Sequence, residues 1–261
     1  MTAALIHRTA VVDAAAQIAS SVVVGAYTVI QGDVEIGEGT EIGPHVVLQG
    51  PMKIGRNNRI FQFASLGAIS QDKTAKPDEA TRVEIGDGNT IREYVTINRG
   101  TLKEHGLTKV GNDNWIMAYC HVAHDCVIGD HTILANQTTF AGHVTVEDYV
   151  VLGGGTLVHQ FVTLGAHCFS AGGAGITRDV PPFVIVQENP AIPRGVNLEG
   201  LKRRGFTPED ISDIKAAYRA LFIADQKLDE AKKEMAEIAM RSPHVKRMLD
   251  FVENAKRLIQ K

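Results

Sequence analysis

The chain lacks most of the features that quickly narrow a protein's role. Its three cysteines, Cys120, Cys126 and Cys168, are odd in number and form no CxxC pair. That excludes a disulfide framework or a cysteine-rich zinc site and fits buried thiols in a reducing cytoplasm. No run of 18 apolar residues exists, so no transmembrane helix is expected. The first residues, MTAALIHRTAVVDAAAQ, contain no basic stretch leading into a long apolar one, so they do not read as a signal peptide. The formal net charge is only -3, which gives no reason to expect nucleic acid as a partner. The remaining composition, 44% hydrophobic and 22% charged over 261 residues, is that of a soluble chain with one large domain, or one domain plus a smaller one.

What the chain does have is a period of six. Stepping from Ile6 gives Val12, Ile18, Val24, Ile30, Ile36, Ile42, Leu48, Ile54, Ile60 and Leu66. Ile, Leu and Val make up about a quarter of the chain, so this run has a chance of roughly one in ten million in a chosen register, and accident is excluded. The next position is often glycine (Gly25, Gly37, Gly43, Gly55, Gly67), which suggests a corner that needs glycine's backbone freedom. The position four after the aliphatic is small or β-branched: Ala10, Ala16, Val22, Thr28, Val34, Thr40. The register slips by one across 68–84 and again across 101–109. It then runs from Val110 to Ile176, with only Phe140 and Ser170 off type. The first slip holds the polar stretch QDKTAKPDEA, as a loop leaving a regular core should.

Neither a helix of period 3.6 nor a strand of period 2 sustains a strict six. A coil with a turn every six residues does. This pattern resembles the hexapeptide-repeat family. The resemblance implies a left-handed parallel β-helix with three hexads per coil, spanning residues 1–190 with loops around 68–84 and 101–109. Residues 18 apart then stack about 4.8 Å apart. After about residue 190 the clock stops. NPAIPRG reads as a linker, and residues 191–261 read as a small α-helical domain. FTPEDISDIKAAYRALF carries Thr207 as N-cap, Pro208 at the first helical position and Asp210 three after the cap. LDEAKKEMAEIAM and SPHVKRMLDFVENAKRLI read as two further helices whose apolar faces form core.

Residues 121–131, HVAHDCVIGDH, put three histidines in eleven positions. The 18-residue stack places His124, Gly142 and Gln160 in one column, with His143 and His159 beside it and His121 a corner back. A lone histidine on such a coil is usually a surface or packed residue, but the scaffold has little packing reason for four together. One chemistry is a general base, His124, with Asp125 as orienter and the Gly142 N–H as oxyanion donor one coil away. Adjacent strand residues point to opposite faces, so Asp125 pairs with His124 only if a corner intervenes. The other chemistry is a metal held by His121, His124 and His143, as in the γ-class carbonic anhydrases.

Longer stretches resemble one family from end to end, the UDP-N-acetylglucosamine O-acyltransferases that open lipid A biosynthesis. They are IGPHVVLQGPMKIG at 42–55, IFQFASLG at 60–67, TRVEIGDGNTIRE at 81–93, HVAHDCVIG at 121–129, AGHV at 141–144, LVHQF at 157–161, DVPPFVI at 179–185 and GVNLEGLKRRGF at 195–206. The resemblance implies a cytoplasmic homotrimer with active sites between neighbouring prisms. It implies transfer of an (R)-3-hydroxyacyl chain from acyl carrier protein to the 3-hydroxyl of UDP-N-acetylglucosamine, with no metal or other cofactor. It implies His124 as base and Gly142 as oxyanion donor. Gln71, Asp72, His121, His143 and Gln160 then hold the sugar and diphosphate, with His159 beside them. Asn197, Glu199, Arg203 and Arg204 take the nucleotide end, and Gly172 leaves room for a longer acyl chain. Without the resemblance, the basic triplet 202–204 would read as a solvated domain boundary.

Three departures stand out. Asn98 replaces the histidine of the family's HRG. The first loop is a residue longer, with Thr74 where the family has lysine and Lys73 and Lys76 nearby. Pro190 replaces a histidine at the far end of the acyl groove. The N-acyltransferase of the same pathway is the nearest rival, but it carries an extra N-terminal domain, and here the clock already starts at Ile6. A purely structural β-helix would lack a histidine-rich edge.

Overall fold

The computed structural model describes residues 5–260. Each hexad is one short strand and one corner, and the strands collect into three sheets of 11, 9 and 8 strands, parallel except for the last pair of the first, the faces of a triangular prism. The first face starts with Leu5–Ile6, the second with Val11–Val12 and the third with Gln17–Ile18. The register is the expected 18: Leu5 pairs with Val23, Val23 with Glu41 and Val29 with Val47. The two slips are insertions that leave the prism. Ile54 pairs with Ile85, 31 residues on rather than 18, and Ile85 with Val110, 25 on. The inserted segments are narrower than the slips suggest, because Arg82–Ile85 and Leu107–Val110 are already strand. They occupy 69–81 and 99–106. Both leave between the second and third faces, from Ser65–Ala68 to Arg82–Ile85 and from Thr96–Asn98 to Leu107–Val110.

The aliphatic column fills the prism. From Val24 to Ile176 its members are buried, Phe140 included. The position four later also points inward, and this is where all three cysteines sit, as small apolar fillers. Burial pushes the Cys126 thiol up to about 12, so these thiols are inert. Along one stretch the inward position is polar instead. Asn58 Oδ1 accepts from the Asn89 N–H and Nδ2, Asn89 Oδ1 from the Asn114 N–H, and Asn114 Oδ1 from Thr132. Each buried amide is thereby paired with the coil above or below it.

The corners work differently from the expectation based on glycine. Of the five glycines after the aliphatic, Gly25, Gly37, Gly43 and Gly55 do not have positive φ, whereas Gly67 has φ 84°. The left-handed residue lies three after the aliphatic, and fourteen such positions among the described residues, Tyr27 to His167, are not glycine. The glycines are there because the coils touch: a Cβ on Gly37 would lie 2.7 Å from the carbonyl carbon and oxygen of Gly55. The left-handed positions stack into ladders. Tyr27, His45, Phe63, Tyr94 and Tyr119 run down the edge between first and second faces, with ring centroids 4.8–5.4 Å apart. His131, Tyr149, His167 and Phe183 run down the edge between third and first faces. Each stacked pair adds about 0.5–1.5 kcal/mol, which offsets part of the cost of left-handed backbone in a residue with a side chain.

The segment expected to be a linker carries the last strand. Val184–Gln187 pairs antiparallel with Ile192–Val196, extending the first face to Val196. Four helices follow: α1 (Leu198–Arg203), α2 (Pro208–Phe222), α3 (Leu228–Ala239) and α4 (Pro243–Asn254). The Thr207–Asp210 capping box with Pro208 behind it starts α2 as read from sequence. The last helix stops earlier than its pattern suggests. Beyond Asn254 the chain turns back, and Arg257–Ile259 bond to Asp179 on the prism.

Two outcomes follow from this packing. Gly37→Ala should lower stability by about 1–3 kcal/mol, because two backbones must separate to admit the methyl. Gly195→Ala, where a Cβ would meet nothing within 4 Å, should be close to neutral; urea unfolding of both variants checks this. His167 is held neutral: burial, helped by the nearby charges of Arg204 and Arg247, lowers it to about 4. Its protonation favours the unfolded chain, so its contribution is full above about pH 6.5 and is lost as pH falls from there towards 4. His167→Phe, which keeps the ladder, should remove a slope of at most about 1.4 kcal/mol per pH unit from that window in unfolding measurements at stepped pH.

Candidate active site

His124 and Asp125 form the corner between the strands His121–Val122, on the second face, and Val127–Ile128, on the third. Asp125 has φ 58°. That left-handed turn swings its carboxylate round to its own neighbour, so two consecutive residues face each other as they could not within a strand. Asp125 Oδ2 lies 2.9 Å from His124 Nδ1. The expectation that Asp125 would need an intervening corner is therefore met by the residue's own backbone. The carboxylate is almost wholly buried, its side chain 3% exposed against 16% for His124. It also accepts from the Thr101 N–H at 2.9 Å and the Thr101 hydroxyl at 2.6 Å.

One coil on, Gly142 lies directly against the imidazole. A Cβ there would sit 2.4 Å from His124 Cε1 and 2.6 Å from Nε2, so any side chain would displace the ring. The Gly142 N–H donates to no acceptor among the described residues. His143, beside it, stacks on Phe161 and meets His124 edge-on with centroids 5.0 Å apart. Burial holds His143 below its ordinary value, with Asp125 pulling the other way. His121, on the second face, is likewise lowered by burial and then by His124, and its Nδ1 lies 2.7 Å from the Thr96 hydroxyl. Both are neutral hydrogen-bonding groups at neutral pH. His159 and Gln160 occupy the same edge a further coil on, both exposed, and the Gln160 carbonyl accepts from Arg257.

The two excursions meet over this edge. Lys103 Nζ of the second lies 2.6 Å from Asp72 Oδ2 of the first, and with the Thr74 N–H and hydroxyl it holds the Asp72 carboxyl well below the usual range. Thr74 thus fixes Asp72, and the cation facing Asp72 comes from the other excursion. Gln71 is exposed. Asn98 donates to the carbonyls of Ala68 and Ile69, pinning the start of the first excursion. A cleft of about 740 Å³ runs from His143 and Phe161 to Lys246 and Phe251 of α4. Thr96, Thr101 and Lys103 were not singled out from sequence. Only the fold shows that 99–106 lands beside Asp125.

Other expected residues lie elsewhere on the chain. Asn197, Glu199, Arg203 and Arg204 belong to α1 and its caps, at the edge between third and first faces. The Asn197 side chain is buried, accepting from the Gly200 N–H and donating to the His167 carbonyl, so it holds the helix start. Arg204 is half-buried with its guanidinium carbon 4.8 Å above the Tyr149 ring. Glu199 faces Lys202, and Arg203 is exposed. Gly172 lies at the edge between first and second faces, where a Cβ would come within 3.3 Å of the Gly154 carbonyl. His124, the Asn197–Arg204 group and Gly172 therefore occupy three different edges of one prism.

Metal-ligand atoms of His124, Asp125 and His143 fall within 4.8 Å of one another. This is a different trio from the one the sequence suggested, since His121 is not in it. The Asp125 oxygens are already engaged by Thr101 and His124 Nδ1, which suits an orienting carboxylate better than a ligand.

Comparison with known proteins gives the same picture. Residues 179–260 match the model described as Udp N-acetylglucosamine O-acyltransferase, Domain 2, and residues 15–50 and 107–142 match the bacterial transferase hexapeptide model. The acyl-[acyl-carrier-protein]–UDP-N-acetylglucosamine O-acyltransferase of Herminiimonas arsenicoxydans is 54% identical over 257 residues, covering 97% of this chain and 98% of the relative. That of Stenotrophomonas maltophilia is 55% identical over 253 residues, covering 97% and 96%. Among solved structures, the Francisella novicida UDP-N-acetylglucosamine acyltransferase overlays with a TM-score of 0.96 at 42% identity, covering 98% of this chain and 94% of that one. The Acinetobacter baumannii LpxA gives 0.95 at 40%, covering 98% and 100%. The shared architecture is a left-handed parallel β-helix with a small helical domain at its C-terminal end. With an identity above half over nearly the whole length, and with an overlay that takes in prism and helices alike, the chain belongs to the UDP-N-acetylglucosamine O-acyltransferase family.

Proposed function

We propose that this protein transfers an (R)-3-hydroxyacyl chain from acyl carrier protein to the 3-hydroxyl of UDP-N-acetylglucosamine, the first step of lipid A biosynthesis. The observation that carries the reading is the His124 imidazole, oriented by Asp125 and seated on the Gly142 backbone, at the edge where both excursions emerge. With Nδ1 bonded to Asp125, Nε2 is the free nitrogen. It takes the proton from the sugar hydroxyl as that oxygen attacks the thioester carbonyl. The carbonyl oxygen gains the negative charge, and the Gly142 N–H is the donor for it. Collapse of the tetrahedral intermediate breaks the carbon–sulfur bond. The departing pantetheine thiolate recovers the proton from the imidazolium. Gln71, Asp72, His121, His143, His159 and Gln160 share the edge with His124 and are assigned to the sugar and diphosphate.

The working unit is a homotrimer in the cytoplasm. Support comes from the distribution of roles: Arg203, Arg204 and Gly172 reach His124 only if a second prism brings a different edge against it. The edge carrying Gly172 also carries the exposed ladder of Tyr27, Phe63, Tyr94 and Tyr119, an apolar strip suited to such a contact. In that arrangement Asn197 fixes α1, and Glu199, Arg203 and Arg204 face the nucleotide.

The test is a transfer assay with EDTA-treated protein, UDP-N-acetylglucosamine and a panel of 3-hydroxyacyl carrier proteins, read by mass spectrometry. A single acylated nucleotide sugar formed without metal is expected; activity that returns only with zinc would turn the three-residue cluster into a ligand set. His124→Ala should lose on the order of 10²-fold or more in kcat while the oligomer persists. An acceptable level of turnover in that variant would remove the base. Gly172→Met should move the preference to shorter chains, and an unchanged preference would remove the length role.

A further inference from the structure

We propose that Thr101 is a positioning residue that commits the Asp125 carboxylate to His124 and withholds it from His143. Two imidazoles stand against one carboxylate. Asp125 Oδ2 is 2.9 Å from His124 Nδ1 and 3.9 Å from His143 Nδ1. His143 Nδ1 is buried and has no hydrogen-bond partner, so it is a standing competitor. The rings are perpendicular, 87° apart, and the same oxygen, Oδ2, lies between the two Nδ1 atoms, 1.0 Å closer to that of His124.

Thr101 removes that freedom. Its N–H binds Oδ1 and its hydroxyl binds Oδ2, so one residue holds both oxygens and fixes the carboxylate plane. Thr101 is itself 2% exposed, and its carbonyl accepts from the Gly106 N–H, closing the excursion on itself. The residue before it is glycine because the backbone packs there: a Cβ on Gly100 would lie 2.3 Å from the Gly106 carbonyl carbon and 2.8 Å from Asp125 Oδ1. On the far side the Asp125 N–H donates to the Thr108 hydroxyl. The second excursion is therefore a strut whose tip is the Thr101 hydroxyl.

The other charged and titratable groups facing His143 are His124, Glu104 and Lys103; those facing His124 are His121 and His143. Apart from His124 itself, none of them is hydrogen-bonded to an Asp125 oxygen. Loss of the hydroxyl would leave Oδ2 with one donor and let it turn to His143, favouring protonated His143. It would also weaken the tautomer of His124 in which Nε2 is free.

The inference rests on His124 as the base, and its test separates the two. Thr101→Val keeps shape and backbone N–H but loses the hydroxyl; Thr101→Ser restores it. Histidine ¹⁵N-labelled protein is titrated by NMR without substrate, and kcat and KM are measured across pH. In Thr101→Val the His124 Nδ1–H signal should move and broaden, His143 should titrate at higher pH, and kcat should fall roughly tenfold with KM within about twofold. Thr101→Ser should restore all three. Unchanged imidazole signals and an unchanged kcat–pH profile in Thr101→Val would overturn the proposal. Shifted signals with unchanged kcat would uphold the positioning and count against His124 as base. Should the valine variant not fold, Thr101→Ala carries the same measurements.

Discussion

Everything in this molecule depends on coils lying in register, each corner directly over the corner before. Parallel strands a single residue out of step would put aliphatic side chains outside and polar ones inside. Register therefore fixes all three edges at once, and a residue's place around the prism follows from its number. The constraint explains the glycines, which let backbone touch backbone, and the ladders, which turn left-handed corners into stacked rings. It also explains the site. His124 meets Gly142 because they are 18 apart, with the same pairing that joins Val122 to Phe140.

The period of six was legible because burial enforces it at every turn, and so was the His124–Gly142 contact, which needs only the count of 18. The capped start of α2 was legible because Thr207, Pro208 and Asp210 act locally. The His124–Asp125 pairing was not, because it depends on the left-handed φ of Asp125, and aspartate at such a corner looks in sequence like aspartate anywhere. Glycine misled at Gly25, Gly37, Gly43 and Gly55, since there it marked close approach and not the turn. Thr101 and Lys103 were invisible because an excursion has no period, and nothing in 99–106 announces where it folds back. The strand Ile192–Val196 was hidden by Pro193 within it and Pro190 before it, and the tail beyond Asn254 by an apolar pattern that docks on Asp179 instead of continuing the helix.

The helical scaffolding and the chemistry are kept apart. The prism supplies a fixed edge, and the variable material, two excursions and the tail at Arg257, gathers on that edge alone. The resulting division lets the core stay strictly periodic, with His124 and Gly142 set by the repeat, while Thr101, Asp72 and Lys103 come from segments that owe nothing to it.

The reversal of strand direction at Val184–Val196 has a consequence for the cell. A stack of parallel coils has a natural hazard: its last coil offers unpaired strand edges to the next molecule, and a prism could grow end on end into a fibre. Here the first face closes with an antiparallel strand containing Pro193, which has no N–H to offer, and Asp179 and Leu258 bridge beside it. The last hairpin thus closes the first face with an edge poorly suited to pairing with another prism.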